Sequence, residues 1–82
     1  MDISTYAESL IKSIASDPDM VKASMYHDEE KNEDVIEVMV KDEDLAMIIG
    51  KNGKNIKAIR ILVNAYAYLN KLGKVKLNVE SF

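Results

Sequence analysis

The 82-residue chain has no cysteine, which removes disulfide frameworks and thiolate metal sites together. Its one histidine, His27, has no second ligand near it and reads as a surface residue, so the serines lack any base that could activate them. The acidic stretch 28–34 lacks the loop glycine and terminal glutamate of a calcium-binding EF-hand. No catalytic or metal-ligating constellation emerges, and no cofactor is expected; an enzyme has no support. No run of 18 apolar residues could cross a bilayer, and the first residues lack the basic and apolar regions of a signal peptide, so no membrane partner and cytoplasmic residence are expected. Glycine and proline are scarce, three and one, and each stands where a helix starts or stops.

Nearly half of the chain is apolar and no low-complexity run breaks it, so residues 1–82 are expected to form a single folded domain. The net charge of −3 conceals a division. Residues 1–44 carry thirteen carboxylates against Lys12, Lys22, Lys31 and Lys41, a balance of −9. Residues 45–82 carry Arg60 and six lysines against Glu80 alone, a balance of +6. A polyanion responds to the local field, because screening cuts interactions off beyond ~8 Å at physiological salt.

Helical spacing of Ile3, Tyr6, Ala7, Leu10, Ile11 and Ile14 predicts a helix over 3–16, ended by Asp17-Pro18. Alternation at Val21, Ala23, Met25 and again at Ile36, Val38, Val40 predicts two strands joined by a polar hairpin loop over 27–34. Asp42-Glu43-Asp44 supplies an N-cap and an acidic first turn for a short helix to Ile49, stopped by Gly50. A second helix is expected from about Lys54 to Leu72, with Gly73 as its C′ residue, followed by a strand over 74–80. The order is α-β-β-α-α-β, an α+β fold with a three-stranded mixed sheet and helices on one face. The strands on either side of the helix pair would lie parallel, through a right-handed crossover.

The segment joining that pair carries the functional signal. Gly50 and Gly53 bracket Lys51 and Asn52, with Ile48 and Ile49 before them and Ile56 and Ile59 after. Absent side chains let another molecule approach the main chain, and the helix opening at Lys54 offers amide N–H groups and a positive dipole end to an anion. Lys51 and Lys54 add mobile positive charge. A nucleotide P-loop needs four residues between its glycines and Lys-Ser/Thr after them, and neither is present.

This pattern resembles the I-G-x-x-G-x-x-I core of KH domains. Nearly the whole chain is similar to the small stand-alone KH proteins of bacteria, the KhpA type: the leading helix, Asp17-Pro18, the hairpin, Ile49-Gly50-Lys51-Asn52-Gly53 and Lys57-Ala58-Ile59-Arg60. Ala46 and Met47 depart from it, standing where related proteins often have a glycine and a basic residue, which removes one phosphate contact. The resemblance implies a type II KH domain, RNA binding and homodimerisation. In some bacteria it also implies pairing with a larger Jag-type KH protein.

Ile49, Gly50, Lys51, Asn52, Gly53, Lys54, Ile56, Lys57 and Arg60 are therefore the candidate RNA-binding residues, with phosphates over the glycines and bases against the isoleucines. Core packing explains Ile49 and Ile56 equally well, and Arg60 fits phosphate contact or plain solvation evenly. The second helix also carries an apolar arc wider than one sheet can cover. Ile61, Ala65, Tyr68 and Leu72 are the expected contacts with another subunit, the first helix being the other body that could cover them. The function expected is non-enzymatic binding of single-stranded RNA, as a dimeric chaperone or post-transcriptional regulator. The alternative is an adaptor that uses the same fold to dock a partner KH protein.

Overall fold

The computed structural model describes residues 1–82. Six elements follow in the expected order: α1 (Ile3–Lys12), β1 (Lys22–Asp28), β2 (Glu33–Val40), α2 (Asp42–Ile49), α3 (Lys54–Leu69) and β3 (Val75–Ser81). Single 3₁₀ turns occupy Pro18–Met20 and Lys51–Gly53. β2 is central, antiparallel to β1 and parallel to β3, which is the type II KH arrangement.

Period-two alternation sends Ile36, Val38 and Val40 of β2 into the same core as Val75 and Leu77 of β3. All three helices close over that face: Ile3, Ala7 and Ile11 come from α1, Ile48 from α2, and Ile56, Ile59, Val63 and Ala67 from α3. Tyr6 of α1 stacks on Tyr66 of α3, with ring centroids 4.5 Å apart. Val35, on the opposite face, is nonetheless buried; its neighbours in register there are Tyr26 and Lys76.

α1 stops at Lys12, four residues before the expected end. The cause lies in α2. Asp44 is buried, and its carboxylate accepts the Ser16 hydroxyl (2.6 Å) and the amides of Ser16 (3.1 Å) and Asp17 (3.3 Å). Those amides are thereby committed outside the helix, and Ile14 is left partly exposed. The Ser16 hydroxyl, followed by the two amides, holds the Asp44 carboxyl below the usual carboxylate range. Lys41 is the N-cap residue, so the acidic triplet forms the first turn and does not cap it with a side chain.

The hairpin is tighter than its polarity suggested. The ladder extends to Asp28 opposite Glu33, leaving only residues 29–32 in the turn. His27 Nδ1 lies 2.9 Å from Asp34 Oδ1 across the strands, and Asp28 accepts the amides of Glu30 and Lys31. α3 also ends early. Lys71, with φ 59°, takes the left-handed C′ position assigned above to Gly73. The Leu72 amide donates to the Ala67 carbonyl (2.8 Å) and the Lys71 amide to that of Tyr68 (3.1 Å), the two bonds of a Schellman motif.

Candidate nucleic-acid interface

The α2–α3 connection is built from three successive backbone needs. Gly50 adopts φ 79°, ψ 168°, a conformation nearly confined to glycine. Asn52 and Gly53 are both left-handed, at φ 57° and 73°, and the Gly53 amide donates to the Gly50 carbonyl (3.0 Å). A Cβ at Gly50 would fall 2.6 Å from Asn55 Cγ and 2.8 Å from its Nδ2. A Cβ at Gly53 would meet nothing nearer than 3.9 Å. The two glycines therefore differ in kind: Gly50 is pressed against its own fold, while a Cβ at Gly53 would make only ordinary van der Waals contacts.

Asn55 braces the turn. Its Nδ2 donates to the Met47 carbonyl (2.8 Å), tying the first turn of α3 to the last turn of α2 beneath Gly50. Gly53 is the N-cap of α3 and supplies no capping side chain, so the first-turn amides lack the partner that a Ser or Asp would provide. Lys51, Lys54 and Lys57 are exposed around this positive end. None belongs to the molecule's three ion pairs, which are Glu8–Lys12, His27–Asp34 and Lys41–Glu43.

The apolar candidates separate. Ile56 is 6% exposed and belongs to the core; Ile49 is half-buried at its margin. Arg60 is exposed, and its Nε donates to the Leu77 carbonyl (3.1 Å). Asn64, one turn further, accepts the Val75 amide (3.3 Å) and donates to the Arg60 carbonyl (3.0 Å). Lys57, Arg60 and Asn64 follow i, i+3, i+7 spacing and form one stripe on α3. Arg60 and Asn64 form one wall of a groove against β3, with Val75 and Leu77 opposite and Lys31, Asn32, Glu33, Lys74 and Lys76 completing its lining.

Asn55, Asn64 and the three distal lysines were missed in the sequence. The spacing of Arg60 and Asn64 and the alternation of Lys74 and Lys76 were visible there, but only the fold brings Lys31 of the hairpin beside them. On α3's outer side, Ala58, Ile61, Leu62, Ala65, Tyr68 and Leu69 form a continuous exposed stripe, with Ile61 70% and Tyr68 81% accessible. Leu72, 43% exposed, lies beyond the helix end and lines a hollow with Ile3 of α1, whereas Ile61, Ala65 and Tyr68 are left exposed.

A family model described as KhpA/KhpB, KH domain, matches residues 4–80. Among curated proteins, the chain is similar to the RNA-binding protein KhpA of Thermotoga maritima, 34% identical over 71% of this chain and 75% of that one. The RNA-binding protein KhpA of Clostridium acetobutylicum is 37% identical over 73% and 77%. Among solved structures, Aquifex aeolicus Era bound to GDP.AlF4- superposes with a TM-score of 0.71 at 16% identity, covering 98% of this chain but 30% of Era. Era in complex with MgGDPNP and nucleotides 1506–1542 of 16S ribosomal RNA gives 0.69 at 18% identity, with the same coverage. These low identities carry the fold alone. The match over 4–80, the curated relatives and the α-β-β-α-α-β order with β2 parallel to β3 together place the chain in the KhpA/KhpB KH-domain family of small bacterial proteins.

Proposed function

We propose that this protein binds single-stranded RNA, without catalysis or a cofactor, and acts in the cytoplasm as an RNA chaperone or post-transcriptional regulator. The observation that carries the reading is the start of α3: no side chain caps it, a Cβ at Gly53 would meet nothing nearer than 3.9 Å, and three lysines that belong to no ion pair stand around it. The curated relatives' name as RNA-binding proteins agrees with it. A phosphate lies over Gly50–Gly53, and the strand continues along the stripe Lys57–Arg60–Asn64 toward Lys31, Lys74 and Lys76. Bases meet the exposed part of Ile49 and the α3–β3 groove; Ile56 supports that floor from the core.

Titration with a short unpaired RNA at low ionic strength tests this directly. The amide resonances of residues 50–56 shift, and Gly53→Asp, whose Cβ meets nothing nearer than 3.9 Å but whose carboxylate carries the wrong charge, weakens binding about tenfold or more. Unmoved resonances overturn the assignment.

The apolar stripe supports two further readings. In one, two copies pack α3 against α3 through Ile61, Ala65 and Tyr68, with Leu72 at the rim. In the other, the same face docks a different KH protein, such as a larger Jag-type partner, and the chain serves as an adaptor. Sedimentation of the isolated protein separates them: a concentration-dependent dimer lost in Ile61→Asp supports the first, and a monomer at high concentration supports the second.

A further inference from the structure

Arg60 is held in a way that restricts what it can recognise. A guanidinium offers five N–H donors in one plane and no acceptor. Its Nε is engaged by the Leu77 carbonyl, and Asn64 fixes both the Arg60 carbonyl and the adjacent Val75 amide. The plane is thereby pinned to the β3 edge. What remains is the terminal Nη1/Nη2 pair, free of any carboxylate ion pair, on a side chain lining the groove. Arg60 stands six residues beyond Lys54, ~9 Å along α3. A strand whose phosphate lies over Gly53 brings a neighbouring base to that point.

We infer that Arg60 is a specificity-determining residue, selecting a base that presents two adjacent acceptors; this rests on the RNA-binding reading above. Two parallel donors match guanine O6 and N7. In an unpaired strand they match cytosine O2 and N3 equally, because the Watson–Crick edge is then free. Adenine sets an amino donor beside each ring acceptor of those edges, and uracil places N3–H between its two carbonyls. On either base one Nη donor finds no acceptor.

The test uses six-nucleotide uridine RNAs carrying a single G, C or A at each position, with affinity measured by fluorescence anisotropy at fixed salt. The expected result is a gain of about tenfold for G or C, and none for A, at one position only. For the wild-type protein, 7-deazaguanine or 3-deazacytosine at that position abolishes the gain, because each lacks the ring-nitrogen acceptor. Arg60→Lys keeps the charge and removes the fork: the preferred G or C RNA loses about tenfold more affinity than plain uridine RNA does. Equal weakening on every sequence makes Arg60 a phosphate contact and overturns the inference, as does wild-type binding with no preference or a gain that survives the deaza substitution. The deaza arm needs no variant and stands even where Arg60→Lys fails to fold. Absence of binding to any RNA overturns the RNA-binding reading itself, and this inference with it.

Discussion

At the scale of single residues, the two glycines of the turn give opposite expectations although a sequence pattern treats them alike. Gly50→Ala forces a Cβ to within 2.6 Å of Asn55 in a backbone conformation that other residues avoid. Urea unfolding should show a loss of about 3 kcal/mol. Gly53→Ala meets only the left-handed strain at φ 73° and should cost about 1 kcal/mol. Equal costs would mean that Asn55 does not press on Gly50 as described. Asp44 is the second such residue. Its carboxyl is lowered in the folded state chiefly by the Ser16 hydroxyl, then by the Ser16 and Asp17 amides. The ionised form is therefore favoured by folding. That contribution is complete above the unfolded value near 3.8 and disappears as pH falls through the lowered folded value. Asp44→Asn should flatten the acid side of the stability profile in thermal melts between pH 2 and 5. Asp44→Ala should lower the melting midpoint at neutral pH by about 5 °C or more, because three donors lose their acceptor.

At the scale of elements, periodicity carried most of the fold, since each face that alternates or repeats in sequence is the face buried in the core. Ile36, Val38 and Val40 in β2, and Ile56, Ile59 and Val63 in α3, could be placed from spacing alone. The ends were less legible because they are settled by side chains distant in sequence or by local backbone strain. α1 is cut short by an aspartate 28 residues beyond Ser16, which no local pattern signals. The hairpin strands run further than their polarity suggested, because His27 and Asp34 pair across the ladder and Asp28 holds the turn. In the site, the glycines and lysines near them were readable in one continuous motif, whereas Lys31 meets Lys74 and Lys76 only through the parallel crossover. The end of α3 offers a direct check. Gly73, two residues too late, was the obvious stop signal, yet Lys71 adopts the left-handed conformation. Lys71→Gly relieves that strain and gives back part of the gain through the greater freedom of the unfolded chain. The net should be a stabilisation of up to about 1 kcal/mol in denaturant unfolding, and a loss would contradict the Schellman assignment.

At the scale of the whole molecule, an acidic protein with a proposed polyanionic ligand depends on keeping its two charge populations apart. The fold achieves this by placing Lys51, Lys54 and Lys57 at the glycine turn and start of α3, and gathering Lys31, Lys74 and Lys76 around the groove between α3 and β3. From the acidic half of the chain, Lys31 crosses over and brings Glu33 with it. Salt dependence then reports how many of these charges meet phosphate. Three contacts on one strand give a slope of about −2 in a plot of log affinity against log salt, or roughly a 16-fold loss between 50 and 200 mM. A dimer built on the α3 stripe changes that number without altering either groove. When one RNA reaches both sites the slope approaches about −4, and an RNA too short to bridge them returns it to about −2. Ile61→Asp, placed on the face opposite the core, should leave short-RNA affinity within about twofold and bring the long-RNA slope down to the short-RNA value. If the slope for long RNA is instead unchanged by Ile61→Asp, the two grooves do not share a strand, and the exposed face of α3 serves a partner other than a second copy.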